Sequence, residues 1–115
     1  MPHVVIEYSE AEIDDAAIGA LMQAAFAVCA TSGIMQPGDV KVRAVPLRHL
    51  LLQDGARGFV HVTLSMLAGR TPAQKEALAE ALRARLAGML EHVDLLSIDI
   101  RDMDPIAYKK RVLNS

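Results

Sequence analysis

The sequence predicts an α/β (α+β) fold, with two pseudo-symmetric βαβ units joined into one four-stranded, mainly parallel sheet that carries two helices on one face. A strand-like run, a helical stretch and a second strand-like run occur twice in the same order, set about half the chain apart. Both helical stretches open on capping chemistry. The apolar bulk is Ala, Leu, Val and Met, and aromatics are only 3% of the chain, which suits an aliphatic, helix-rich core and supplies no stacking platform for bases. At 115 residues and 52% hydrophobic, the chain is sized for one domain, residues 1–115, with units at about 1–46 and 58–103 and a C-terminal tail at 104–115.

The elements follow in order. His3-Val4-Val5-Ile6-Glu7-Tyr8 reads as the first strand. Ser9 is placed to cap a helix over about 10–30, because Glu12 three positions on completes the spacing of a capping box. Ile13, Ala17, Ala20, Leu21, Ala24 and Val28 recur at helical period and give it an apolar face. Gly33 is placed to end this element through a left-handed turn. The second strand falls at about 40–46.

The third strand, at about 59–67, alternates aliphatic Val60, Val62, Leu64 and Met66 with mixed Phe59, His61, Thr63 and Ser65. A second helix spans about 72–91. Thr71 is its N-cap, Pro72 occupies the first helical position where a missing N–H costs nothing, and Gln74 completes the capping box. Leu78, Ala81, Leu82, Leu86, Met89 and Leu90 form its stripe, and the last strand follows at about 95–102. Two right-handed units side by side put both helices on the aliphatic face. The other face, expected to hold Tyr8, His61, Thr63 and Leu95, then needs a cover, and oligomerisation is the simplest one.

Composition removes several function classes. With 12 basic against 14 acidic residues and a net charge of −2, no segment gathers the cations needed to follow a nucleic-acid backbone. The apolar runs are too short for a secretory signal or a membrane span, so a soluble cytoplasmic protein is expected. The single cysteine, Cys29, excludes an internal disulfide and a thiolate metal cage, and reads as core filler. The four histidines are dispersed, and no zinc-protease helix, nucleophile elbow or phosphate loop is present. Neither a metal nor a cofactor is expected. His3 and His61 read as hydrogen-bonded structural histidines, and His49 and His92 as surface residues.

Pro2 is the residue with chemistry to offer. Removal of Met1 would leave a secondary amine at the head of a strand. Desolvation and neighbouring cations both lower an amine's pKa, so an apolar, positively charged pocket would free this nitrogen to act as a general base. Anionic substrates suit such a pocket. The plainer reading is that Pro2 only permits methionine removal and stiffens the terminus. Lys41 and Arg43, two apart on a strand, project to one face while Val40 and Val42 project to the other. They are either an anion-binding pair or solvated strand residues. Arg70 precedes the second helix, whose N-terminus adds donors and positive dipole for a carboxylate. Lys109-Lys110-Arg111 reads as a solvated helix end, or as a cover for a neighbour's site.

Several segments, in order and spacing, resemble one known family over nearly the whole chain. They are Pro2-His3-Val4-Val5-Ile6-Glu7, Thr31-Ser32-Gly33-Ile34, Asp54-Gly55, Phe59-Val60-His61 with Thr63-Leu64, and Ala68-Gly69-Arg70-Thr71. The resemblance is to the 5-carboxymethyl-2-hydroxymuconate isomerase family of the tautomerase superfamily; the final dozen residues match it less clearly. It implies a tautomerase-like fold, a homotrimer with sites near subunit boundaries, and a cofactor-independent role in aromatic-compound catabolism, in the homoprotocatechuate pathway. It further implies Pro2 as the catalytic acid/base and Lys41, Arg43 and Arg70 as binding residues for a small substrate bearing several carboxylates. Lys41 stands where relatives place arginine, so a point charge replaces a planar fork there. Alternatives within the same reading are another proline-based tautomerase, decarboxylase or hydratase acting on a small oxo acid. A trimeric binding module with an idle Pro2 is the non-enzymatic one.

Overall fold

The computed structural model describes residues 1–113; the last two residues of the predicted tail, Asn114 and Ser115, lie outside the described residues. The elements are β1 (His3–Ser9), α1 (Asp15–Ala30), a 3₁₀ turn (Pro37–Asp39), β2 (Lys41–Leu47), β3 (Phe59–Leu67), α2 (Pro72–Ala87) and β4 (Leu95–Met103). The sheet order is β2-β1-β3-β4. Each outer pair, β1 with β2 and β3 with β4, is parallel, and the central pair β1/β3 is antiparallel. That is the mixed, mainly parallel sheet expected from two repeated βαβ units.

Strand alternation sets the layers. Val4 and Ile6 on β1 lie opposite Leu64 and Val62 on β3, and all four are sealed from solvent with Val60 and Met66. Over them lie Ile18, Leu21 and Cys29 from α1 and Leu78, Leu82 and Leu86 from α2. Burying each large side chain of this kind contributes roughly 1.5–3 kcal/mol, so this layer dominates the fold's stability. Cys29 is core filler as expected, and burial pushes its thiol up to about 11.

Tyr8 corrects the expected division of the faces. It pairs with Val60 and is 6% exposed, so it belongs to the covered core and not to the open face with His61 and Thr63. Parity decides this: Tyr8 is an even step from Val4 and Ile6.

The start of α1 also differs from expectation. Asp14, not Ser9, is the N-cap, its carboxylate accepting from the Ala17 N–H at 2.8 Å. Ser9 remains in β1, and its hydroxyl instead accepts from the Phe59 N–H at 3.0 Å, tying the end of β1 to the start of β3. Gly58 makes this junction possible. Its φ is +85°, and a Cβ there would stand 3.2 Å from both Ser9 Oγ and Glu12 Cγ. The buried face of α1 runs through Ile18, Leu21, Ala24, Ala25 and Cys29, while the expected Ala20 is exposed and Ala17 only half-buried. Alanines surround this helix, so the branched side chains choose the face.

The predicted capping box of α2 is present: the Gln74 N–H donates to Thr71 Oγ1 at 3.1 Å, and the Thr71 N–H donates to Gln74 Oε1 at 2.9 Å. This helix stops at Ala87, short of residue 91, because the chain tightens into turns from Met89 N–H to Leu86 O and from Leu90 N–H to Ala87 O. Leu90 remains buried beyond the helix, and Ala81 is exposed. Among the described residues, the chain beyond β4 turns near Asp104 and forms no helix, so Lys109-Lys110-Arg111 is not a helix end.

Candidate active site

Pro2 sits just ahead of β1, an inner strand of the sheet, and its position is fixed by both neighbours. Its carbonyl accepts from the Lys41 N–H at 3.0 Å, and His3 beside it is registered against Lys41 on β2 and Ser65 on β3. The Pro2 ring is buried. In the described chain Met1 precedes it, so the Pro2 nitrogen is an amide, and the nearest free amine is that of Met1.

Pro2 borders a cavity of about 450 Å³ together with Met1, Gly33, Ile34, Asp39 and Arg70. Gly33, at φ +80°, makes the left-handed turn expected after α1 and brings Ile34 across to Arg70. The half-buried Arg70 guanidinium fastens this loop to the end of β3. Its Nε and Nη2 donate to the Ile34 carbonyl at 3.1 and 2.7 Å, and Nη1 donates to the Leu67 carbonyl at 3.0 Å. A guanidinium has five N–H groups; three are used here, leaving one on each terminal nitrogen for a ligand. The α2 N-terminus offers an anion less than the sequence suggested, because the capping box occupies the Thr71 and Gln74 N–H groups and Pro72 has none.

The other two expected cations lie on the opposite sheet face. Lys41 is exposed, with Nζ donating to the Asp39 carbonyl at 2.9 Å. Arg43 is exposed and reaches His3 Nδ1 through Nη1 at 3.1 Å, while His3 Nε2 lies 3.0 Å from the Tyr108 hydroxyl. A guanidinium only donates, which fixes the tautomer: Nδ1 accepts from Arg43, and Nε2–H donates to Tyr108. His3 is therefore neutral, and its pKa is held below 6.5 by burial first and then by Arg43, Lys41 and the amino terminus. Of the other histidines, His61 bonds Ser97 at 2.6 Å, and the exposed His92 bonds the Glu12 carbonyl at 3.0 Å. His49 is exposed.

The structure thus brings Pro2 and Arg70 to one cavity and leaves Lys41 and Arg43 around the corner, at the start of β2. Their fields still meet at the chain's beginning. Burial is the main reason the Met1 amine titrates below its ordinary 8.0; Asp39 pulls it up, and Lys110, Lys41 and Arg70 push it down. Tyr108 was not singled out from the sequence, and Lys110 only as part of the Lys109-Lys110-Arg111 run, since no periodicity or spacing links either to residues more than a hundred positions away. A larger hollow of about 570 Å³ lies beneath the 48–58 loop. Glu10, Glu12 and Asp54 outnumber Arg48 among the charged residues on its wall, which makes it a poor receptacle for an anion, and Pro2 is not part of it. Among the described residues no cluster of His, Cys, Asp or Glu is arranged to hold a metal ion, and no helix is long and apolar enough to cross a membrane.

A sheet whose two parallel pairs meet antiparallel at the centre, backed by two helices and opening on a buried proline, places this protein among isomerases of the tautomerase type. The assignment narrows further. The family model for 5-carboxymethyl-2-hydroxymuconate isomerase matches residues 2–113, and the chain belongs to that family.

Solved structures agree. A 5-carboxymethyl-2-hydroxymuconate isomerase from Deinococcus radiodurans R1 is 28% identical with a TM-score of 0.82, over 96% of this chain and 88% of its own. A 5-carboxymethyl-2-hydroxymuconate delta-isomerase is 27% identical with a TM-score of 0.78, over 99% and 89%. A fused 4-OT described as an asymmetric trimer, 17% identical with a TM-score of 0.74 over 94% and 91%, shares the fold. No curated protein matches the chain.

Proposed function

We propose that this isomerase converts a carboxylated dienol, of the 5-carboxymethyl-2-hydroxymuconate kind, into its conjugated 2-oxo isomer, with Pro2 as general base and acid after Met1 is removed. The Pro2 nitrogen takes the enol proton, the electron pair delocalises through the diene as an enolate, and the same proton returns to the distal carbon. Arg70 holds a carboxylate with its two uncommitted N–H groups, and Lys41 and Arg43 add positive potential to the delocalised anion. No oxidant and no cofactor enter this balance. The observation that carries the reading is that buried Pro2 and half-buried Arg70 border one cavity, at a chain start where burial, aided by three cations and opposed by Asp39, lowers the pKa of the Met1 amine.

The reading takes the protein as a cytoplasmic homotrimer. The sheet face without helices supports this, because it leaves Val5, Thr63 and Ser65 half-buried in one copy, and a protein of the same fold is a trimer. The test begins with intact mass, which is expected to show Met1 absent. The processed protein should ketonise 2-hydroxymuconate-type dienols, followed by ultraviolet absorbance, and Pro2→Ala should lose about 10²-fold or more in rate. Full activity in Pro2→Ala rejects the proline mechanism. Turnover of small oxo acids without dienol turnover moves the protein to a decarboxylase or hydratase.

A further inference from the structure

The tail beyond β4 doubles back to the opposite end of the chain. A turn at Asp104, closed by the Tyr108 N–H on the Asp104 carbonyl at 3.0 Å, sends Tyr108 to His3, where its hydroxyl accepts from Nε2 at 3.0 Å. The rings meet edge to face at 5.8 Å between centroids. Two residues later, Lys110 Nζ donates to Met1 Sδ at 2.9 Å. A thioether is a weak acceptor, so this exposed ammonium has no strong protein partner in that contact and is readily taken over by an anion. Met1 is also a wall of the Pro2 cavity.

Arg70 is the one basic side chain among the residues lining this cavity, beside the neutral amide of Gln36. Arg70 commits three N–H groups to Ile34 and Leu67, which leaves enough for one carboxylate. Arg43 is engaged with His3 on the other sheet face, and Lys41 with the Asp39 carbonyl. Asp39 itself contributes an opposing negative charge to the wall. A substrate with more than one carboxylate needs a further cation.

We infer that Lys110 is that cation: with Met1 removed, its ammonium faces the vacated mouth of the Pro2 cavity and binds a second carboxylate of a di- or tricarboxylate substrate. The Tyr108–His3 bond holds the tail in place for it. The inference rests on the Pro2 reading in needing Met1 removed, and it makes Lys110 a determinant of how many carboxylates the substrate carries.

The test compares processed wild type, Lys110→Gln and Lys110→Arg on mono-, di- and tricarboxylate dienols, and titrates each calorimetrically with tricarballylate, a saturated tricarboxylate. Lys110→Gln should raise KM about tenfold for the tricarboxylate, as expected for one charge-assisted hydrogen bond, with a much smaller rise for the monocarboxylate. Lys110→Arg should recover most of the loss, and tricarballylate affinity should follow the same order. An equal change for all three substrates, or no change, overturns the inference while leaving Pro2 untouched. If no dienol is turned over, the Pro2 reading falls and the calorimetry decides alone. Weaker tricarballylate binding in Lys110→Gln then supports Lys110, whereas undetectable wild-type binding or equal affinities overturn it.

Discussion

On the helix-covered side of the sheet Val4, Ile6, Val60, Val62, Leu64 and Met66 are fully buried, whereas His3, Val5, Glu7, His61, Thr63 and Ser65 alternate with them on β1 and β3 and remain half-exposed. The backbone ladder is common to both sets, so the difference lies wholly in the side chains. One side carries the hydrophobic free energy of the fold. The other carries polar partners: Arg43 with His3, His3 with Tyr108, and His61 with Ser97. The two sides meet at the head of β1, where Pro2 is buried and His3 faces outward. A strand start is a suitable place for a reactive nitrogen, since the core can desolvate it while cations from the other side supply potential.

Substitutions on adjacent residues of β3 test this contrast most strongly. Leu64→Ala should cost about 2–5 kcal/mol, the range for emptying a sealed leucine site, and denaturant melts would measure it. Thr63→Ala should cost about 0.5 kcal/mol or less in an isolated copy. A larger loss for Thr63→Ala in concentrated protein that shrinks toward the single-copy value on dilution would show that copies of the chain cover the open side.

Arg70→Ala comes next, at about 1–3 kcal/mol, because it leaves the Ile34 and Leu67 carbonyls without their charged donor. Arg43→Ala, exposed and bound to one imidazole, should be nearly neutral in the same melts. Equal losses for the two arginines would erase the distinction drawn between the cavity and the outer side.

The smallest effect is in pH. His3 has a lower pKa folded than unfolded, so the unfolded chain takes up the proton first as pH falls. Its contribution is complete above 6.5 and is lost progressively below that value. Melts between pH 8 and pH 5, compared with His3→Gln, should show this slope in the parent only; parallel slopes would remove His3 from the account.

How much was legible in the sequence follows from how strongly each signal was determined. The β3 alternation and the Thr71-Pro72-Gln74 cap left no competing arrangement, and both are found. The start of α1 had two capping-competent residues, Ser9 and Asp14, and a contact from Phe59, fifty residues away, claimed the first. The alanine-rich surface of α1 could be buried on more than one side, and Tyr8, the last even-numbered residue of β1, goes to the core by parity despite its polar hydroxyl. In the candidate site, Pro2 and Arg70 were visible from local motifs and now border one cavity. The His3–Tyr108 and Lys110–Met1 contacts were not, because folding alone brings the two ends of the chain together.

Chain ends ordinarily fray, but here the opening residues are gripped on both flanks, with Pro2 tied to Lys41 and His3 registered between β2 and β3. Anything fused ahead of Met1 has to leave through the cavity mouth instead of hanging free. An affinity handle at that position would act as a stopper, giving a protein that melts normally and yet admits no small molecule to its proline.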